Sequence, residues 1–304
     1  MISVHDPDAC ALDGARAPAP GRWLDVVAPT AGEREVLLGL GVPYGLIVHA
    51  LDTDELARVD HDESGARLFV LRVPSDSSAA AEVVPLGVIT APGECLVTIS
   101  SMDTGLPAKI AARAVDPAMP ETFFLDLALE VAERFVRTLQ SIEAEINRLE
   151  GLLRKALQND EILSLLELQK RLVHLDVALH ADQLVIERAL SDRRIELSES
   201  QKRVAEDVLV ELRQAGVVTR TKKELLGETM DALATVVSNN LNVAMKQLAS
   251  LTLMVSIPAV FAGLYGMNVA LPFASSPVAF AGVLVVSLVV VIGLALALRA
   301  RGWL

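Results

Sequence analysis

One long segment of this 304-residue chain carries no charge at all. Between Gln247 and Leu298 there is no Lys, Arg, Asp, Glu or His, although 22% of the whole chain is Asp, Glu, Lys or Arg. Such a run is far longer than the roughly 20 apolar residues that one membrane-spanning helix needs. The chain is therefore not expected to be a purely soluble protein.

Cysteine is scarce, and no cleaved leader is expected. Cys10 and Cys95 lie in different segments, and no CxxC pair or Cys/His cluster has zinc-site spacing. Both thiols are expected to be free, in a reducing compartment. The first ten residues, MISVHDPDAC, have neither the basic nor the apolar region of a signal peptide. Membrane insertion is therefore expected to depend on the C-terminal segment.

The motifs of common enzymes are missing as well. No P-loop, GxGxxG or GxSxG sequence occurs, and the five histidines include no pair at metal-binding helical spacing. The net charge of −12 disfavours nucleic acid as a partner, since phosphates need a positive surface. An acidic surface attracts cations, but it also serves solubility, and both interpretations stay open. Neither an enzyme nor an organic cofactor is expected.

The uncharged segment divides once, at a cluster of turn-forming residues. The YGMN sequence and the Pro and Ser residues after it separate two apolar stretches, which predict spans at about 247–265 and 278–298. Lys246 precedes the first span, Arg299 and Arg301 follow the second, and the connecting loop is uncharged. The positive-inside rule therefore places both ends of this transmembrane hairpin in the cytoplasm.

Ahead of the hairpin, the sequence predicts a small α/β domain. Residues 1–20 are polar and are expected to be poorly ordered in part. Four apolar runs predict strands between Arg22 and Ile99, namely RWLDVVAP, RLFVLRVP, AEVVPLGVIT and ECLVTIS. Two segments between the first two runs predict short helices. The segment SMDTGLPAK is interpreted as a linker.

A helical region follows, with Leu and Ile recurring every three or four residues. A turn is predicted at 158–160 and a second break at 196–200, with Ser200 as the N-cap of the last helix. That helix is predicted to reach about Leu264, within the membrane, with Pro258 inside it. The fold class is thus an α+β membrane protein with an N-terminal cytoplasmic α/β domain, a long helical stalk and a C-terminal two-helix transmembrane hairpin. The predicted domains are 1–120, 121–246 and 247–304.

The hairpin limits what the protein can do. Two spans leave no lumen, so any conduction would need several copies around an axis. The polar residues available to such a pore are Asn242, Thr252, Ser256, Tyr265 and Asn268. Their neutral oxygens suit the water shell of Mg²⁺, which dehydrates reluctantly. A plain two-span anchor is the alternative.

The residues around the predicted loop resemble the CorA family of magnesium and cobalt transporters. Gly266-Met267-Asn268 is similar to the family's Gly-Met-Asn signature at the end of the first span. The segment 242–246, NVAMK, is similar to the family's Asn-x-x-Met-Lys, and the C-terminal RARGWL resembles its basic tail. The resemblance implies a CorA-like funnel: a homopentamer in the plasma membrane of a prokaryote, with the lipid bilayer and divalent metal ions as its other partners.

The resemblance also implies roles for individual residues. Mg²⁺, with Co²⁺ and Ni²⁺ as further candidates, would enter the cell down the membrane potential. Gly266, Met267 and Asn268 would form the selectivity filter, where Asn268 binds hydrated Mg²⁺. Further residues would line the pore, of which Met245 and Leu248 form a hydrophobic constriction and Asp231 a cation-attracting ring. The implied pore-lining residues are Asn242, Met245, Leu248, Ser256 and Asp231.

The same family senses cytoplasmic Mg²⁺ through carboxylates at subunit interfaces, which implies regulatory as well as transported Mg²⁺. Asp207 matches one such position by its count from Asn242. The position aligned with its partner acid carries His49, and Asp52 and Asp54 are nearby substitutes.

Two alternatives to the magnesium channel stay open. The zinc-transporting, ZntB-like and proton-coupled branch of the superfamily shares the architecture but tends to vary the middle residue of the signature, so the intact Met267 favours magnesium. The loop after Asn268 lacks the acidic residue that many family members carry. A membrane-anchored helical scaffold or sensor is the alternative from another class.

Overall fold

The structure, a computed structural model, divides into two units. It describes residues 1–5, 22–53, 56–75, 83–91, 95–113, 115–153, 159–269, 276 and 278–303. The contacts between residues separate Met1–Gly227 from Glu228–Leu304. This boundary falls inside a helix. The three-part domain division predicted from the sequence stays a prediction.

Among the described residues of the first unit, six strands form one mixed sheet. They are β1 (Ile2–His5), β2 (Trp23–Val27), β3 (Arg58–His61), β4 (Arg67–Pro74), β5 (Val83–Ala91) and β6 (Cys95–Ser100). Their order is β1-β2-β6-β5-β4-β3, and all neighbours are antiparallel except the parallel pair β2 and β6. The four predicted strands are confirmed. The sequence analysis did not foresee β1 and β3, which are short and lie at the two edges.

The helices are named in chain order. They are α1 (Ala31–Gly39), α2 (Tyr44–Leu51), α3 (Leu106–Ala112), α4 (Pro120–Leu153), α5 (Asn159–Ser191), α6 (Glu199–Tyr265) and α7 (Ala279–Ala300). The two short helices predicted after the first strand are confirmed as α1 and α2. The predicted turn at 158–160 falls partly outside the described residues, and α5 begins at Asn159.

Helices cover the central strands on both faces of the sheet. On one face, Leu68 and Val70 of β4 share a buried core with Leu37 of α1 and Ile47 of α2. On the other face, α4 packs against the sheet, and the ring of Phe69 stacks on that of Phe124 with centroids 4.2 Å apart. Strands buried on both faces read as continuous apolar runs instead of alternating ones, which is why RLFVLRVP was recognisable.

The segment interpreted as a linker contains a helix, so that interpretation was wrong. The helix α3 begins after Gly105, whose φ of +67° is costly for other residues, and Pro107 lies in its first turn, where no N–H is needed. Glu130 of α4 is fully buried beneath this helix and pairs with Lys109 and Arg113. Burial alone would raise the pKa of Glu130, but hydrogen bonds from Lys109 and Arg137 outweigh it and lower that pKa.

The N-cap predicted for the last helix was placed two residues too late. Ser198, and not Ser200, caps α6: its hydroxyl accepts from the Gln201 backbone N–H at 3.3 Å, and the Gln201 side chain accepts from the Ser198 N–H at 2.8 Å. This reciprocal pair is a capping box, with Gln at the third helical position. Ser200 lies inside the helix, where its hydroxyl meets that of Ser198.

The first part of α6 packs within the first unit. One stripe of α6 is buried, consisting of Ala205, Val208, Leu212, Ala215, Thr219 and Leu226. The Gln183 side chain of α5 donates to the Leu212 carbonyl at 3.0 Å, and Lys223 pairs with Asp176 at 2.5 Å. The apolar stripes predicted for α4 and α5 are also buried, except at the half-buried Ile146 and at Leu153, whose side chain lies outside the described part.

The second unit contains the rest of α6 and the helix α7. Within the described residues, α6 and α7 are the two helices long and apolar enough to cross a membrane. Their apolar side chains point outward: Leu248 is 66% exposed and Phe280 is 78% exposed. Exposed apolar surface of this extent is stable only against lipid or a partner chain.

Candidate functional site

The candidate pore residues share one face of α6. At about 100° per residue, they fall within a sector of roughly 120°. These residues are Asp231, Asn242, Met245, Leu248 and Ser256, and all are exposed. The opposite side carries the less exposed stripe of Ser250, Met254, Ile257 and Phe261. The sector is therefore free within this unit, and we call it the candidate pore face.

The helix α7 lies beside the opposite stripe. A cavity of about 280 Å³ is lined by Phe261 and Tyr265 of α6 and by Gly282 and Val286 of α7, among others. The end of α6 therefore meets the start of α7, as a transmembrane hairpin requires. Ser250 and Ser287 are almost fully buried, and small residues of this kind allow helices in a membrane to approach closely.

The Gly-Met-Asn sequence continues α6 for a last turn. The Gly266 N–H donates to the Ala262 carbonyl at 2.9 Å, and the Met267 N–H to the Leu264 carbonyl at 3.4 Å. A Cβ at Gly266 would lie 3.1 Å from the Ala262 carbonyl oxygen, closer than ordinary contact. Glycine thus lets the chain turn tightly here. Met267 and Asn268 are exposed, at the end of the hairpin opposite Lys246.

The polar side chains along α6 and at Asn268 differ in which of their oxygen acceptors remain available to an ion. The Ser256 hydroxyl donates to the Thr252 carbonyl at 2.7 Å, so its oxygen lone pairs remain as acceptors. Within the part of the chain that the structure describes, no hydrogen bond engages the amides of Asn242 and Asn268. Amide oxygens can accept from the water shell of a hydrated cation.

Two further residues lie on the candidate pore face. Thr252 and Ser238 stand seven residues after and before Met245, so both fall in the same sector. The sequence analysis named Thr252 among the polar residues available to a pore but did not include it in the implied pore-lining set, and it did not single out Ser238. Counting in sevens from Met245 would have found both.

The structure leaves the candidate regulatory residues apart from any metal cluster. Asp207 is exposed on α6, and Asp52 is exposed at the end of α2. Asp54 lies outside the described residues. The His49 ring lies 3.3 Å from the Arg58 guanidinium. Over the described ranges, no three His, Cys, Asp or Glu side chains are grouped so that they could hold one metal ion. A shared site would need carboxylates from a second copy.

Comparison with known proteins points to one family. The family described as "CorA-like Mg2+ transporter protein" matches residues 20–299. The cobalt/magnesium transport protein CorA of Methanocaldococcus jannaschii is 24% identical over 293 residues, which are 93% of this chain and 91% of that protein. These are transporters, so the expectation that the chain is not an enzyme is confirmed.

Solved structures show the same fold. The complete structure of the CorA magnesium transporter from M. jannaschii matches with a TM-score of 0.79 at 22% identity. The match covers 93% of this chain and 91% of the M. jannaschii chain. The ZntB cytoplasmic domain from Vibrio parahaemolyticus has a TM-score of 0.57 at 13% identity and covers 72% of this chain and 89% of its own. The expected fold class is confirmed. Because the family match spans most of its residues, this chain belongs to the CorA-like Mg²⁺ transporter family of membrane proteins.

Proposed function

We propose that the protein is a homopentameric channel that conducts Mg²⁺ inward and is closed by cytoplasmic Mg²⁺. The observation that carries this proposal is the candidate pore face. Neutral oxygen-bearing side chains follow one side of α6, turned away from α7, and lead to the exposed Gly266-Met267-Asn268 at its end. A membrane anchor would need the two spans but not this arrangement.

The exposure of α6 supports the assembly of several copies. Met245 is 60% exposed and Leu248 is 66% exposed, on the side opposite the less exposed stripe. Several copies of α6 around an axis would cover these residues and enclose a path for ions. The number five comes from the resemblance to the CorA family, since helical spacing alone does not fix a subunit number of this size.

The candidate pore face and Asn268, which follows the end of α6, have separate tasks. A ring of Asn268 amides would accept hydrogen bonds from the water shell of Mg²⁺, which keeps several waters. Met245 and Leu248 would form a constriction that closes by losing its water. The Asp231 carboxylates would raise the local concentration of cations at the other end.

The charges that flank the spans support the inward direction. Lys246, Arg299 and Arg301 lie at one end of the hairpin, which the positive-inside rule assigns to the cytoplasm of a prokaryotic cell. An inside-negative potential then drives a divalent ion inward with about 4.6 kcal/mol per 100 mV, twice the value for one charge. No pump is needed at that driving force.

The test is ion flux into vesicles that contain the purified full chain and an indicator dye. Wild type is expected to admit Mg²⁺ when the interior is made negative. Asn268→Ala should lower that flux by about tenfold or more, because each lost hydrogen bond to a charged shell is worth about 1.5–3 kcal/mol. Asn240→Ala is the matched control, since Asn240 lies on α6 outside the pore face and its loss should leave the flux unchanged.

Other outcomes separate the alternatives. Zn²⁺ entry that follows a proton gradient, with little Mg²⁺ entry, would place the protein with ZntB-like transporters. No flux of either ion through a folded, assembled protein would favour an anchor or scaffold. Equal flux in wild type and Asn268→Ala would remove Asn268 from the filter.

A further inference from the structure

Beyond Asp231, the charges of the second unit are few and all of one sign. After that residue the sequence contains no further Asp or Glu, and its remaining charged side chains are Lys246, Arg299 and Arg301. Over the residues that the structure describes, no acidic side chain pairs with any of these three. Several cations of the first unit do have acidic partners: for example, Arg148 pairs with Glu145 and Arg213 with Glu187.

The hairpin brings the three cations to one level. The end of α6 meets the start of α7 at the shared cavity. From there, Lys246 lies about 28 Å back along α6 and Arg299 about 30 Å forward along α7, at 1.5 Å per residue. Both distances equal the hydrocarbon thickness of a bilayer. The cations therefore lie at the level where phospholipid headgroups begin.

A helix-capping turn fixes the chain beyond Arg299. The Gly302 N–H donates to the Arg299 carbonyl at 3.1 Å, and the Trp303 N–H to the Leu298 carbonyl at 3.0 Å. With Gly302 at a φ of +68°, this is a Schellman motif. The turn folds Trp303 back toward Leu298, which is only 8% exposed, while Trp303 itself stays 38% exposed. An ordered, partly exposed Trp at this depth is typical of the membrane interface.

We propose that Lys246, Arg299, Arg301 and Trp303 form a binding site for the headgroup of an anionic phospholipid. The two arginines and the lysine would hold the phosphate, and the Trp303 ring would lie against the upper acyl chains. Uncompensated cations favour an anion, and guanidinium groups match the geometry of phosphate oxygens. A soluble phosphate shares that chemistry, but Trp303 and the depth of the site favour a lipid. The inference rests on the membrane placement proposed above.

Trp303 itself reports on this site. The full chain is reconstituted in phosphatidylcholine vesicles that contain a minor fraction of one brominated lipid, either brominated phosphatidylglycerol or brominated phosphatidylcholine. The brominated acyl chains quench Trp fluorescence on contact. The second tryptophan, Trp23, is 2% exposed and donates to Thr98 at 2.9 Å. Its constant signal is measured in Trp303→Phe. Brominated phosphatidylglycerol is expected to quench Trp303 several-fold more effectively than brominated phosphatidylcholine.

The charges are tested by a matched pair of double variants. Arg299→Gln with Arg301→Gln should lower the preference for phosphatidylglycerol by about fivefold for each charge removed. Arg148→Gln with Arg213→Gln removes two equally exposed arginines from the first unit and should leave the preference unchanged.

Each contrary outcome overturns the site. Equal quenching by both lipids in wild type would mean that no headgroup is selected, and this comparison does not depend on any variant. A preference that survives loss of both arginines would exclude them. Loss of the preference in inorganic phosphate at matched ionic strength would assign the site to a soluble anion. Absence of quenching by either lipid would also remove the membrane placement, whereas absent Mg²⁺ flux with the preference intact would contradict only the proposed channel.

Discussion

Asp182 lies in surroundings that do not suit a charged carboxylate. Its side chain is fully buried on α5, and one oxygen accepts the backbone N–H of Arg72 at 2.8 Å. Arg72 lies beyond Val70, the last residue of β4 that pairs with β3. The carboxyl group therefore accepts a backbone N–H at a position where β3 no longer pairs with β4. The other oxygen has no hydrogen-bond partner among the described residues. Burial raises the pKa of Asp182 well above its usual value.

Replacing Asp182 should therefore stabilise the protein at neutral pH. Below the pKa that Asp182 has in the unfolded chain, Asp182 is protonated in both the folded and the unfolded state, and it does not lower the free energy of unfolding. As the pH rises from the pKa of Asp182 in the unfolded chain toward its higher pKa in the folded protein, Asp182 ionises in the unfolded state but not in the folded state. Stability therefore falls by about 1.4 kcal/mol for each pH unit between the unfolded and the folded pKa. Asp182→Asn keeps the oxygen that accepts the Arg72 N–H but cannot ionise.

Unfolding of the first unit, followed across mildly acidic to neutral pH, is the measurement. Asp182→Asn is expected to flatten the decline in stability that wild type shows over this range. Asp207→Asn changes an exposed carboxylate and serves as the control that keeps the decline. A decline of unchanged steepness in Asp182→Asn would mean that another group causes it.

At the scale of elements, α2 is pressed against the sheet at Gly87. A Cβ on Gly87 would lie 2.5 Å from the Ala50 Cβ of α2 and 3.0 Å from the Ile99 Cγ2 of β6. Gly87→Ala should therefore force α2 outward and destabilise the first unit by about 1–3 kcal/mol, as overpacking of a core usually does.

Gly45→Ala on α2 is the matched control. A Cβ on Gly45 meets nothing within 4 Å, so this change should stabilise the helix by up to about 1 kcal/mol. Both values come from denaturant unfolding of the full protein. A neutral effect of Gly87→Ala would show that α2 can shift at no cost, and that the close packing does not hold it in place.

The elements that the sequence predicts well are those whose burial is one-sided or complete. The strands β4 and β6 carry apolar residues at consecutive positions, LFVL in β4 and CLV in β6, because both faces are covered, and these runs stand out against turns. β3 reads RVDH and covers only four edge positions, so its pattern is too short and too polar to distinguish. α3 was hidden because Gly105 and Pro107 are typical of loops, yet both also suit a helix start.

The sequence predicts residues for the candidate site, but it does not predict the geometry of that site. Lack of charge predicts the spans, because burying a charge in lipid is costly. Which face of α6 borders a pore depends on contacts with neighbouring copies. The uncharged, mostly apolar sequence of its membrane span does not by itself distinguish that face from the others. The structure adds the position of α7, and this separates the face with Met245 and Thr252 from the stripe with Ser250.

At the scale of the whole molecule, a single helix carries both the candidate sensor and the candidate pore. Asp207 and Asn242 are both on α6, which runs unbroken from Glu199 to Tyr265. Asn242 follows Asp207 by 35 residues in this helix. Because α6 is continuous, a shift at Asp207 can be transmitted along this helix to the candidate pore residues. Such coupling requires that Mg²⁺ bind one state of the channel more tightly than the other.

Removal of Asp207 should weaken closure by Mg²⁺ without lowering conduction. Mg²⁺ between carboxylates of neighbouring copies would offset their repulsion only in the closed assembly. Asp207→Ala should therefore reduce the preference of Mg²⁺ for the closed over the open state. The internal Mg²⁺ concentration that halves the flux is expected to rise at least about fivefold, the lower limit of typical coupling. Glu206→Ala removes an exposed carboxylate from a different face of α6 and should leave that concentration unchanged. If Asp207→Ala closes at the same internal Mg²⁺ as wild type, the sensor uses other carboxylates. If both variants shift equally, Mg²⁺ acts by general screening of the acidic surface, and no specific site on α6 is needed.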